Sequence, residues 1–226
     1  MYMEFNEGEI LKLVHKIKKS IINGKGYPAK IEIKNMTGKR IKLKKKQYFA
    51  LLQSRNQFRL NHGRFPKYTT LNGKSKTPIV LNYQDNKYQC ACASFNMAIQ
   101  GFGDWIDENR IARYFQTTTS GTSPENMITG AKKLGYELTP ISRNVNAVSK
   151  AKEKGYGVIA HIDTIKASCL GYTGQYGHYV CIARVTKAGN YRVYDPTKGV
   201  HSVKPQCIDN AMLNRKINYY QVRPLK

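Results

Sequence analysis

Four segments in the last third of the chain, GVIAHID, HYVCIARV, NYRVYD and KINYYQVRP, are rich in β-branched and aromatic residues and together demand a sheet. The turn KAGN joins the second to the third, which makes that pair an antiparallel hairpin. Ahead of them the pattern is helical. It includes residues 90–100, the stretch DWIDENRIARYF, a helix opened by Ser123-Pro124-Glu125 and ended by Gly135, and NVNAVSKAKEKG. Two shorter extended pieces, IVLN at 79–82 and KLGYELTPI, lie among these helices. Helices first and an antiparallel run last define an α+β domain.

The first third repeats itself. Pro28 in NGKGYPAKIEI and Pro66 in NHGRFPKYTTL stand 38 residues apart, and the same offset carries Ile10, Leu13 and Val14 onto Tyr48, Leu51 and Leu52. Asn23 falls on Asn61 and Tyr27 on Phe65. Each copy reads as an amphipathic helix, an Asn/Gly stop and a short extended piece entered through an aromatic-Pro pair. Two such copies bury their apolar faces on each other, giving a small, mainly helical repeat module. The polar stretch NGKSKTP marks its end, so the expected organisation is a module over 1–75 and a larger domain over 76–226.

Net charge is +24, and residues 1–80 supply 19 Lys+Arg against 4 Asp+Glu. A field of that size attracts polyanions: nucleic acid, an acidic wall polymer or an anionic membrane surface. No apolar run reaches the ~18 residues of a membrane span, and the first residues, MYMEFNEGEI, place acids where a secretion signal needs bases. The expectation is a protein made in the cytoplasm without a secretion signal and not inserted in a membrane. Five cysteines, an odd number in a chain of this length, argue against a disulfide scaffold and for a reducing compartment.

Three residues carry the chemistry. Cys90 opens a helix, where free N–H groups and the helix dipole favour a thiolate. His178 begins one strand of the hairpin and Asp195 ends the other, so both lie at the same end of the sheet. With odd-sum pairing, such as 178 opposite 197, they also share a face. A carboxylate that fixes an imidazole whose other nitrogen faces a thiol is the arrangement of nucleophilic acyl transfer. Gln84, six residues before Cys90, offers a side-chain amide for an oxyanion hole. Taken singly, each has a plainer reading: a small core cysteine, a satisfied histidine, an Asp-Pro turn, a solvated glutamine. The ordered set favours catalysis. Cys92 lies about 200° around the helix from Cys90 and reads as a packing residue, as does Cys181 in its strand, while Cys169 and Cys207 have no assigned role. No second cysteine pair has metal-ligand spacing, which removes zinc.

The motif QDNKYQCACASFNMAI resembles the Gln-x5-Cys region of the papain-like peptidases related to bacteriocin-leader peptidases, and GHYVCIARV with YRVYDPTKG resembles their His and Asp strands, over roughly 78–226. The 38-residue repeats are similar to pseudomurein-binding repeats. Together they resemble the pseudomurein endoisopeptidases, lysis enzymes of methanogen viruses and proviruses. The resemblance implies a papain-like fold with the nucleophile helix against an antiparallel sheet. It also implies a Cys90–His178–Asp195 triad, Gln84 as oxyanion donor, and hydrolysis of an Ala-(ε)Lys isopeptide cross-link. Relatives usually follow the nucleophile with Gly, where this chain has Ala91. Family members are associated with calcium, although no EF-hand-type run of acids occurs. Tyr172 and Tyr176 of CLGYTGQYGH read either as a wall over the substrate or as part of a plain surface loop, and Tyr27 and Phe65 either as flat surfaces for sugar or peptide or as packing of the repeat core. The expected partner is the pseudomurein polymer, bound by a monomer that acts at the cell wall, with no nucleic acid. A transglutaminase-like acyltransferase uses the same three residue types, and a basic nucleic-acid-binding protein is the more distant alternative.

Overall fold

The computed structural model describes residues 3–212 and 219–225. Its first part runs β1 (Met3–Asn6), α1 (Glu7–Ile22), β2 (Lys30–Lys34), β3 (Arg40–Lys44), α2 (Lys45–His62) and β4 (Tyr68–Leu71). Each half is therefore strand–helix–strand, and each element of the second half begins 37 or 38 residues after its counterpart. β1 pairs with β4 and β2 with β3, both antiparallel. The registers are equivalent as well. Moving Phe5 forward by 38 residues and Thr69 back by 38 turns the pair Phe5↔Thr69 into Leu43↔Ile31, which is the pair found in the other sheet. Each half lends a strand to its twin. The sequence reading missed β1 and β3 because each runs straight into its helix, and the lysines and arginine of RIKLK mask the inward Leu43.

The second part contains α3 (Cys90–Gln100), α4 (Glu108–Tyr114), α5 (Pro124–Lys133), β5 (Tyr136–Ile141), α6 (Val145–Glu153), β6 (Gly157–Asp163), β7 (Gly177–Val185), β8 (Tyr191–Asp195), β9 (Gly199–Val203), α7 (Pro205–Asn210) and β10 (Tyr219–Pro224). Six antiparallel strands order as β5-β10-β6-β7-β8-β9, with α3 packed on the central β7. The start of the segment KINYYQVRP, residues 216–218, lies outside the described residues. The expected strand at 79–82 does not form. IVLN is largely buried but has no ladder partner among the described residues, and side chains satisfy part of its backbone instead. Val80 N–H donates to Gln100 Oε1 at 2.8 Å, Ile79 N–H donates to Thr77 Oγ1 at 3.2 Å, and Gln53 Nε2 donates to Ile79 O at 3.4 Å.

The two parts share one hydrophobic core. Val14 and Leu52 press on Gly103, where a Cβ would stand 2.5 Å from Val14 Cγ2, so only glycine permits the approach. Arg55, 2% exposed, donates to both carboxylate oxygens of Glu7 and to Gly103 O at 2.9 Å, with its guanidinium 3.6 Å from the centre of the Phe65 ring. Tyr27 Oη donates to Gly101 O at 2.8 Å. Tyr27 and Phe65 are both half-buried, each making a contact within the fold. Among the described residues no helix is long and apolar enough to cross a membrane.

Candidate active site

Every residue of CACASFNMAIQ is buried, so α3 runs through the core and only its first turn reaches solvent. Polar contacts fix it there: Ser94 Oγ donates to Tyr179 O at 2.9 Å and Gln100 Nε2 to Asn96 Oδ1 at 2.9 Å. Its N-cap, Gln89, makes no side-chain cap and no acid stands in the first turn. The N–H groups around Cys90 therefore face no competing carboxylate of the helix itself. Cys90 is 8% exposed and lines a groove. Cys92 is fully buried with Sγ 3.4 Å from Thr117 Oγ1, and burial pushes its pKa up to about 12, which suits a packing residue.

A β-bulge brings His178 and Asp195 to one face. Near the turn, Val185 pairs with Tyr191 and Arg184 with Arg192. If continued, that register would put His178 and Asp195 on opposite faces of the sheet. The register shifts between Ile182 and Arg184, so one extra residue enters β7 and Cys181 pairs with Tyr194. Extending that register sets His178 opposite Thr197, the odd-sum pairing expected from the sequence. The result is a hydrogen bond from His178 Nε2 to Asp195 Oδ1 at 3.0 Å, which leaves Nδ1 for Cys90.

Asp195 is fully buried yet well supplied with donors. Thr197 N–H and Lys198 N–H reach Oδ1 at 2.8 and 3.1 Å, so the Asp-Pro turn and the carboxylate's role at the site are one structure. Burial alone would raise its pKa, but the His178 hydrogen bond and charge and these two amides outweigh it and hold the carboxyl below its ordinary value. For His178, burial favours the neutral ring. The hydrogen bonds from the ring to Asp195 and Cys90 outweigh that and raise its pKa to about 9.

Tyr172, expected over the substrate, is 5% exposed and sits behind the histidine. Its hydroxyl donates to Asp195 Oδ2 at 2.9 Å, and its ring lies 5.4 Å from that of His178. No spacing rule announces that contact. Tyr176, 49% exposed, stands edge-on to both rings and borders two grooves, one of ≈ 620 Å³ beside Cys90 and one of ≈ 570 Å³ beside Gln84 and His178. Gln84 is held at both ends of its amide: Nε2 donates to Asn86 O at 2.7 Å and Oε1 accepts from Thr197 Oγ1 at 3.0 Å. Its other amide hydrogen meets no acceptor among the described residues. The loop bearing Gln84 is anchored by buried Glu108, which accepts from Asn82 Nδ2 and from Asp85 N–H, a tie the sequence reading missed. His161, a second histidine bordering the groove beside Cys90, stacks flat on Tyr179 at 4.1 Å; burial, then the nearby His178, lowers its pKa to about 4. Among the described residues it makes no hydrogen bond to Asp195, whose imidazole partner is His178.

Cys169 and Cys207 are joined by a disulfide, against the expectation from the odd cysteine count. The bond ties the turn before Tyr172 to α7, a proximity that only the tertiary fold creates. Closing a separation of 38 residues contributes roughly 3–4 kcal/mol in the chain-entropy account. The described residues gather no three metal-ligating side chains.

A helix-borne thiol packed on an antiparallel sheet, facing a histidine held by a buried aspartate, defines a papain-like cysteine peptidase. The family comparison agrees, since the peptidase C39 family model matches residues 78–210. The chain belongs to that family. Among solved structures it is similar to a double glycine motif protease from an AMS/PCAT transporter in complex with the leader peptide, at 18% identity and a TM-score of 0.50. That match covers 68% of this chain and 95% of that one. A putative C39-like peptidase from Bacillus anthracis matches at 14% identity and a TM-score of 0.50, covering 66% and 96%. At these identities the two show a shared fold. No curated protein matches the chain.

The alkaline limb of the pH–rate profile should report His178. Its pKa is raised above the ordinary ~6.5, so the protonated ring is fully present below that value and is lost as pH rises through about 9. Rates of kcat/KM should fall across that point. Asp195→Asn should move the limb downward and leave a measurable remainder of activity, whereas His178→Ala should not. A limb unmoved by Asp195→Asn would refute the assignment.

Proposed function

We propose that the protein is a wall-lytic peptidase that hydrolyses the Ala-(ε)Lys isopeptide cross-link of archaeal pseudomurein, acting at the cell wall as a viral or proviral lysis enzyme. The observation that carries this reading is the union of the C39 peptidase with a strand-exchanged repeat whose register recurs at 38 residues. In this reading Cys90 thiolate attacks the isopeptide carbonyl, and Cys90 N–H with the free amide hydrogen of Gln84 holds the resulting oxyanion. Protonated His178 gives its Nδ1 proton to the leaving ε-amine as the C–N bond breaks, leaving a thioester. Neutral His178 then takes a proton from water, whose oxygen displaces the sulfur. The product is a carboxylate, and the Cys90 thiolate and protonated His178 are restored. Asp195, with Tyr172 behind it, keeps the ring in place throughout. Residues 1–75 bind the acidic wall polymer through their basic surface.

The test is product analysis by mass spectrometry on a short Ala-εLys peptide, beside turbidity loss of pseudomurein-walled cells compared with murein-walled bacteria. Release of free ε-amine and free carboxylate, with lysis confined to the first cells, is expected. Transfer of the acyl group to an added amine would instead identify an acyltransferase. Cleavage only after Gly-Gly in a leader peptide would replace the wall polymer as substrate.

A further inference from the structure

A further cavity, lined by none of the catalytic residues, lies where the repeat unit meets the peptidase. Its volume is ≈ 380 Å³, and four cations from four separate segments face it: Lys45 from the start of α2, Lys76 from the connection, Lys152 from α6 and Arg184 from β7. Glu153 is its one acidic lining residue. None of the four cations lies within 4 Å of a carboxylate among the described residues. Lys45 Nζ is instead carried over the faces of Tyr27 and Phe49, 5.1 and 5.6 Å from their ring centres. The 18-residue helix α2 opens with Lys45 and Lys46 and has no acid in its first turn, so the positive end of its dipole adds to the lysines.

A concave site with apolar walls focuses such a field and favours a multivalent anion over water. We propose that this interface cavity binds a compact oxyanion carrying two or more negative charges, a phosphate or a polycarboxylate, and that the bound anion holds the repeat unit to the peptidase. Burial lowers the pKa values of Lys45 and Lys152, and a bound anion would favour their charged forms again. A ligand that binds only the folded protein also stabilises it by mass action.

Isothermal calorimetry and thermal melts of the full chain, titrated with inorganic phosphate, with citrate, and with sodium chloride at matched ionic strength, test this. The expected result is saturable one-to-one binding of phosphate or citrate and a rise in Tm of several degrees that chloride does not reproduce. The arm that binds more tightly tells phosphate from carboxylate chemistry. Lys152→Met and Lys45→Met should each weaken binding about tenfold or more. Lys152→Met should also raise the Tm of the anion-free protein, an effect opposite in sign to loss of a structural contact. Lys187→Met, exposed and outside the cavity, should bind like the parent. Should either cavity variant fail to fold, Lys76→Gln at the exposed rim replaces it with the same expectation. Absence of saturation, equal loss with Lys187→Met, or unchanged binding in the cavity variants would each overturn the proposal.

Discussion

Cys90→Ala should remove isopeptide hydrolysis by at least about 10⁴-fold with the fold intact, and Cys92→Ala should keep most of the activity. The asymmetry follows from α3. Cys90 sits on its open first turn within reach of His178, whereas Cys92 points to the opposite side, shut in against Thr117. Iodoacetamide should therefore label Cys90 first and inactivate the enzyme in step. Labelling and inactivation that both followed Cys92 would reverse the assignment.

A chain beginning at Lys76 should lose activity on soluble and insoluble substrates alike. Removing residues 1–75 strips Val14 and Leu52 from Gly103 and Tyr27 from Gly101, and it opens the shared core to water. Arg55→Ala is the gentler form of the same test. It leaves Glu7 and the Gly103 carbonyl without their buried partner, at a cost of about 3–5 kcal/mol, against a total stability of ~5–15 kcal/mol. Denaturant melts measure the loss. A truncated chain that melted like the parent and cleaved a soluble isopeptide at full rate would show that the interface carries no stability. Wall binding by the repeats is accordingly best measured on the intact chain, through its decline with salt.

Much of this was legible in the sequence, for identifiable reasons. The helix at 90–100 was bounded correctly, and Ser123 caps the next one with Pro124 at its first position, because capping chemistry is local. The strands at 157–163 and 191–195 were clear from their β-branched and aromatic content. The shared face of His178 and Asp195 was legible only as one of two parities, and the bulge at Ala183 that selects between them has no sequence mark. The strand expected at 79–82 failed because its apolar residues indicate burial, which side chains rather than a ladder accommodate. β9 (GVHSV) and α7 are short and weakly patterned, and escaped notice. Tyr172 behind Asp195 and the Cys169–Cys207 bond depend on where a loop folds back, which spacing does not encode.

The exchange of strands within the repeat unit bears on the order of events during synthesis. β1 leaves the ribosome well before its partner β4, which ends at Leu71, some sixty residues later. The inner hairpin of β2 and β3 closes over a handful of residues and is free to form early, while β1 must wait with an unpaired edge and Phe5 uncovered. One repeat alone would never complete either sheet. In a lineage that gains or loses such repeats, the smallest change that leaves no strand unpaired is therefore two at a time.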